Sequence, residues 1–394
     1  MKKVRLFNAK FSPNLGDGLL AECMEKGLVE FGFDPQTTYS IDVAARTSFQ
    51  PGKRTRGLIL YLLHFLPTWI RSKLLSIPLT VGLIQKWRPH YQQLLADADA
   101  LVIGGGNLFT DFDLNFPTKI AAVVREANRR KIPVYIYGVG CGSYWSEKGK
   151  RLVTDALKSA DVRYLSMRDE ESKRNFDALF SVAVKKQAEI VRDPGLLASR
   201  YLDRHHGAQP KTMVGLCVMS AIAVNYHSDV MVGRDFLLHW YEKLYQLLVS
   251  AGYQVGIFTN GSPEDISTAH QLVARLTSAS PKAIVYFEPK TPTELVSFIA
   301  ECASVIAFRM HALIAAYSTG AEIIALKWDS KVDAFMKSID LGDRVFSATE
   351  TAPEEILSLM RQLNIYHTRA QLSPRAAIIE AHQHLEALAN ALKK

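Results

Sequence analysis

From end to end, the chain alternates short apolar runs with longer segments whose apolar residues recur at helical spacing. The runs VRLFNA (4–9), ALVIGG (100–105), VYIYGVG (134–140) and VRYLSMR (162–168) are short and almost continuously apolar, which suits strands covered on both faces. Helical spacing fills 17–31, 117–130 and 147–159 between them. Such a rhythm restricts the fold to α/β layering with largely parallel sheets. A polar stretch, DRHHGAQPKT (203–212), reads as a linker, after which the rhythm starts again. Strands are expected at 213–220, 254–260, 283–288, 304–308 and 322–328, with helices at 234–251, 264–278, 292–302 and 310–319. The tail from Pro353 to Lys394 has helical composition and can pack back across both halves. The expected architecture is two Rossmann-like domains facing across a cleft. Residues 1–203, with an insertion at 51–90, form the first domain, 212–350 the second, and 353–394 a helical tail.

A chain of 394 residues is long enough to bury two cores. Its 48% hydrophobic and 22% charged residues are those of a soluble globular protein. The N-terminus MKKVRLFNAKFSPN is broken by Asn8, Lys10 and Asn14 and does not read as a signal peptide. No run approaches the roughly 18 apolar residues of a membrane span. Cys23, Cys141, Cys217 and Cys302 are far apart, form no CxxC pair and sit in apolar segments, as small hydrophobes of a reducing compartment do. A cytoplasmic location follows as the expectation.

The net charge of +8 is concentrated. Between Pro51 and His90 stand Lys53, Arg54, Arg56, Arg71, Lys73, Lys86 and Arg88, with no acid among them. They flank GLILYLLHFLPTWI, too short to cross a bilayer but suited to its headgroup boundary. Two readings stand: a helical insertion packed on the protein's own surface, or peripheral contact with the inner face of a membrane. Nucleic acid is not an expected partner, because large aliphatics interleave the basic residues and no nucleic-acid-binding motif is present.

Open parallel sheets collect ligands at the carboxyl ends of their strands, so polar residues just after the apolar runs are the candidates. NLGDGLL (14–20) offers Asn14 for a turn and Asp17 as a helix cap, a helix start that either holds an anion or is a plain turn with its cap. VIGGGNLFTDFD (102–113) supplies Gly105 and Gly106, where something must approach closely, then Asn107, Thr110, Asp111 and Asp113 as polar hands for sugar hydroxyls. In GVGCGSYWS (138–146), Tyr144 and Trp145 form either a stacking wall for a sugar ring or interdomain packing. Arg168 ends a strand in YLSMRDEES, where it either pairs with a neighbouring acid or forks onto a phosphate or carboxylate. Asp193, before Pro194, suits a hinge or a site wall.

The strongest signal lies in SVIAFRMHALIAAYSTGAEIIALKWDSK (304–331). Arg309 and His311 close one strand and open a helix, and Lys331 recurs after the next strand. Cationic or protonatable groups converging from neighbouring strand ends are costly to hold without a bound anion. A small polyanionic substrate is the expected partner. No metal-ligand cluster accompanies these positions, and no cofactor is expected.

Together NLGD, the triple glycine, SMRDEES, RDPGLL and FRMHALIAAYSTGAEIIALKWDSKVDAF resemble the polysaccharide pyruvyltransferase family over about residues 1–345. The family's Arg-Leu-His stands here as Arg309-Met310-His311, with Lys331 twenty positions after the histidine. Ala321-Glu322 replaces its usual small-Pro pair. The resemblance implies a GT-B-like fold and transfer of a pyruvyl group from phosphoenolpyruvate to a sugar as a cyclic ketal, with the donor held largely by the C-terminal domain. It implies His311 as proton donor and Arg168, Arg309 and Lys331 as donor-binding residues. Asn14, Asp17, Gly105, Gly106, Asn107 and Asp193 are left as acceptor-side or loop candidates, and a lipid-linked oligosaccharide fits the basic apolar window. Two other readings stay open: a GT-B glycosyltransferase using a nucleotide sugar, for which Glu264 and Asp265 supply acids, and a non-catalytic sugar- or lipid-binding protein at the inner membrane face.

Overall fold

The computed structural model describes residues 2–49, 78–203, 212–227, 231–279, 284–363 and 376–394. The apolar stretch GLILYLLHFLPTWI, the linker residues 204–211 and part of the tail lie outside the described residues.

Twelve described strands form two six-stranded sheets, each parallel throughout. The first contains β1 (Val4–Asn8), β2 (Thr38–Asp42), β3 (Ala100–Gly104), β4 (Val134–Val139), β5 (Val162–Met167) and β6 (Glu189–Ile190), in the spatial order β2-β1-β3-β4-β5-β6. The second contains β7 (Met213–Cys217), β8 (Gln254–Phe258), β9 (Val285–Phe287), β10 (Cys302–Ala307), β11 (Glu322–Leu326) and β12 (Val345–Phe346), in the order β12-β11-β10-β7-β8-β9. The apolar runs read as strands fall where expected. In β10, Val305, Ile306 and Ala307 are fully buried, and each large side chain of this kind contributes about 1.5–3 kcal/mol.

Among the described residues, three apolar clusters form the interior. Two cover the outer faces of the sheets, around Phe176 and Phe180 in the first half and around Tyr241 and Leu244 in the second. The third runs without a break through both halves, from Val4, Leu19 and Met24 to Leu313, Ile323 and Leu385. The halves therefore do not merely face each other across a cleft. They share a core built from helices on their inner faces, α1 (Leu15–Glu30) packing near Pro292–Ala300 and α4 (Met310–Ser318). The remaining helices used below are α2 (Glu170–Val184), α3 (Pro263–Ala279), α5 (Ser330–Ser338) and α6 (Ala376–Lys393). α6 returns to the first half, where Leu385 meets Gly27 and Tyr135 donates to the carbonyl of Ala391 at 3.4 Å. The described end of the basic window, from 78 to 90, folds onto the first half through Trp87, whose indole N–H donates to the Ala44 carbonyl at 3.3 Å.

Candidate active site

Strand order reverses between β1 and β3 in the first sheet and between β7 and β10 in the second. Such reversals open a crevice at the strands' carboxyl ends. Here the two crevices meet. From the first come the start of α1 and the glycine turn after β3. From the second come Ser220, after β7, and Arg309 and His311, after β10. The backbone N–H of Leu15 donates to the Asn260 carbonyl at 2.7 Å, locking the two edges together.

Asn14 caps α1, its side chain accepting from the Gly16 N–H at 3.3 Å. The cap expected at Asp17 is thus one turn early: Asp17 lies inside the first turn and turns its carboxyl towards the second half. The glycines after β3 are there for α1. A Cβ on Gly104 would stand 2.4 Å from the Met24 methyl, and one on Gly105 3.1 Å from the Leu20 Cβ. At Gly106 (φ +74°) it would lie 3.6 Å from Asp17 Oδ1. What approaches this loop is the protein's own helix.

The polar residues that follow are engaged as well. Asp111 accepts from the Ser146 N–H and the Leu114 N–H, both at 2.9 Å, which fixes the loop. Asn107 Oδ1 accepts from Arg168 Nη2 at 2.7 Å, and Arg168 Nε donates to Asp169 at 3.2 Å. Trp145 and Tyr144 part company. Trp145 packs on Phe180 with ring centroids 4.9 Å apart, while Tyr144 stands 73% exposed on the cleft between the halves.

His311 sits in the first turn of α4, and Arg309 in the extended residue before it. Arg309 gives two hydrogen bonds to Asp265 Oδ2, at 2.8 and 2.6 Å, and Asp265 Oδ1 accepts from the Ser220 N–H at 2.9 Å. His311 is buried. Its Nδ1 lies against Gly16, where a Cβ would come within 2.5 Å, and its Nε2 faces Asp193 Oδ2 at 4.0 Å. Neither Nε2 nor Oδ2 has a hydrogen-bond partner. Burial pulls the imidazole down to about 4; the Asp17 carboxylate opposes that pull, and Arg168 and Arg309 reinforce it. Burial likewise raises Asp17 and Asp193, against the nearby cations that favour their charged forms.

Three of the four expected groups therefore converge: Arg168, Arg309 and His311. Lys331 does not share their counter-ions. It pairs with Asp329 at 3.3 Å in the first turn of α5 and lines a cleft of about 660 Å³ between the halves. Tyr144, Cys141, Asp169, Phe308 and Trp328 also line that cleft, whereas His311 is not among its lining residues. The cationic residues also have carboxylate neighbours of their own, which corrects the expectation that a bound anion is needed to hold them. Asp265, read from sequence as an acid for a nucleotide sugar, is the counter-ion of Arg309.

The sequence profile of the family described as polysaccharide pyruvyl transferase matches residues 14–330. The chain belongs to that family. Every site residue described above from Asn14 to Asp329 falls inside the matched span. Among curated proteins none matches the chain. Solved structures do, over its whole length. A UDP-GlcNAc 2-epimerase from Neisseria meningitidis, bound to UDP-GlcNAc, superposes with a TM-score of 0.56 at 12% identity, covering 100% of both chains. Anabaena HepE, in complex with UDP and glucose, gives 0.56 at 11% identity, again with 100% of both chains covered. A putative UDP-N-acetylglucosamine 2-epimerase from Listeria monocytogenes gives 0.57 at 11%, covering 100% of this chain and 96% of its own. At such identities the likeness is one of fold: this family member is GT-B-like, with two Rossmann-like halves.

Among the described residues no helix is long and apolar enough to cross a membrane. Two functional contacts escaped the sequence reading of this transferase. The Asn14-x-x-Asp17 spacing is a cap signal that assigns the cap to Asn14 and frees Asp17. The Arg309–Asp265 pair joins residues 44 positions apart on different connections, and no local pattern marks it.

Proposed function

We propose that this pyruvyl transferase takes phosphoenolpyruvate as donor and builds a pyruvate ketal on a sugar of a polysaccharide intermediate, releasing phosphate. The observation that carries the reading is the buried His311, on whose charge the guanidiniums of Arg168 and Arg309, one from each half, both act. Guanidiniums suit a carboxylate and a phosphate because their planar forks bond such groups in pairs. Lys331, on the cleft wall, supplies a compact charge to the same donor.

His311 gives a proton to the terminal methylene carbon, and the ester carbon becomes oxocarbenium-like. One sugar hydroxyl attacks it, phosphate leaves, and a neighbouring hydroxyl closes the ketal ring. The two hydroxyl protons replace the one given by His311 and the one carried off on the phosphate. A positioned acid contributes about 10² to 10⁴ in rate. Burial favours the neutral imidazole, and the guanidiniums add to that preference. A polyanion bound between them cancels their field and lets His311 take up the proton it has to deliver. Tyr144, exposed on the cleft, is placed to stack on the acceptor sugar. The described basic residues Lys86 and Arg88 belong to the window that would meet an anionic membrane carrying a lipid-linked acceptor.

The test is phosphate release with phosphoenolpyruvate and a panel of candidate saccharides, run beside nucleotide sugars. Phosphate appearing with donor and acceptor together supports pyruvyl transfer. Turnover of a nucleotide sugar alone overturns it in favour of glycosyl transfer. His311→Gln is expected to abolish release while sparing donor binding by calorimetry.

A further inference from the structure

Asp193 N-caps the short turn Pro194–Leu197, its Oδ1 accepting from the Gly195 N–H at 2.8 Å. That leaves Oδ2 over, buried and without a partner, 4.0 Å from the equally unpartnered Nε2 of His311. The rest of the protein reinforces this placement. A Cβ on Gly195 would lie 3.1 Å from Ile314 in α4 and 3.1 Å from Leu19 in α1, so the turn is wedged between the two helices that bear on the histidine. A hydrogen bond from imidazole to carboxylate spans about 2.7–2.9 Å. The two atoms are one small displacement from bonding.

We propose that Asp193 is the positioning residue of His311, its free Oδ2 accepting a hydrogen bond from Nε2–H when the imidazole is protonated. This rests on the reading of His311 as proton donor. It gives the imidazolium a counter-charge and fixes the ring by Nε2, while Nδ1 stays on the side of Gly16 and α1. Every charged group bearing on the imidazole enters the balance: Asp17 from α1 favours the imidazolium, while Arg168 from the end of β5 and Arg309 at the start of α4 oppose it. Arg168 also stabilises the charged form of Asp193, and Asp169 opposes it. Asp17 is a less free partner than Asp193, because it also serves Ser12, Arg46 and Arg309.

Asp193→Asn isolates the point, since an amide oxygen keeps the cap on Gly195 and removes the charge. Its thermal midpoint against wild type reports whether the turn survives, and Asp193→Ser supplies a capping oxygen should the amide variant not fold. Without the carboxylate the titration of His311 should move one to two pH units lower, by the effect an opposite charge at close range has on a neighbour. At neutral pH that is about a 10- to 100-fold fall in kcat, with KM for phosphoenolpyruvate little changed. The His311 titration is read by NMR on histidine-labelled protein, the resonance assigned with His311→Gln, so it needs no activity. A downward move in both the titration and the alkaline limb of kcat supports the assignment. An unmoved titration overturns it, and a move produced by Asp17→Asn but not by Asp193→Asn overturns it in favour of Asp17. A shifted titration in a protein that never releases phosphate from phosphoenolpyruvate upholds the pair and sinks the proposed activity instead.

Discussion

Gly16 and His311 are packed so closely that a methyl group on the glycine would stand 2.5 Å from the imidazole Nδ1. The first turn of α1, from one half, thus forms the floor against which the histidine of the other half rests. Gly16→Ala is expected to leave the fold standing, since alanine is favoured over glycine in a helix by up to about 1 kcal/mol and overpacking costs about 1–3 kcal/mol. The imidazole must move, so kcat should fall at least tenfold. Steady-state kinetics beside a thermal melt checks this. Unchanged turnover would mean that the position of His311 is not critical.

Arg309 and Lys331 should behave differently although both are assigned to the donor. Asp265 is wholly buried and depends on Arg309 for its charge. Removing the guanidinium by Arg309→Ala leaves that carboxylate stranded, a loss of about 3–5 kcal/mol. Urea unfolding should show that loss along with weakened donor binding. The double variant Arg309→Leu with Asp265→Leu should recover much of the stability and none of the binding.

Lys331 is a quarter exposed and bonds an acid of its own helix start. Exposed pairs of this kind contribute about 0–1 kcal/mol. Lys331→Ala is expected to raise KM for phosphoenolpyruvate while the unfolding midpoint stays put. A large loss of stability would count against its placement on the cleft wall.

The pH dependence of stability carries a sign that His311 fixes. Its folded value, about 4, lies below the ordinary 6.5, so the folded protein resists the proton that the unfolded chain accepts. Its contribution is present above pH 6.5 and is lost as the pH falls to about 4, a difference on the order of 3 kcal/mol. The raised carboxyls of Asp17, Asp193 and Asp265 act in the opposite sense, gaining as the pH falls. Comparing wild type with His311→Gln in urea at pH 7.5, 6, 5 and 4 removes the shared part. Parallel curves would show that the histidine is not held neutral.

The alternation of apolar runs and helical segments was enough to foresee both halves, because central strands such as Val4–Asn8 and Cys302–Ala307 are covered on both faces and carry a continuous apolar signature. Thr38–Asp42 escaped for the converse reason. Its Ser40 and Asp42 are buried but polar, satisfied by Asn8 and by the N–H of Phe11, so neither hydrophobicity nor alternation marks it. Glu189–Ile190 and Val345–Phe346 are two-residue edges that no period can reveal. At the site, strand-end position pointed to Arg168, Arg309 and His311, and the fold brings these three near one another. Asp169 beside Arg168 was legible as a neighbouring acid, but the acids facing Arg309 and His311 were not, because Asp265 and Asp193 come to them across long stretches of chain. Lys331 was grouped with the histidine by spacing alone, and the fold directs it to the neighbouring cleft.

The closing helix has a consequence for how the molecule is made. Ala381, Leu385, Leu388 and Leu392 of α6 fill the interior shared by both halves, and this helix follows every described strand of both sheets along the chain. Until those 18 residues emerge, the inner face of a half synthesised hundreds of residues earlier stays uncovered. The shared interior therefore closes only after both sheets have been made, and a chain stopped short of Ala376 exposes a sticky seam to any chaperone or protease at hand.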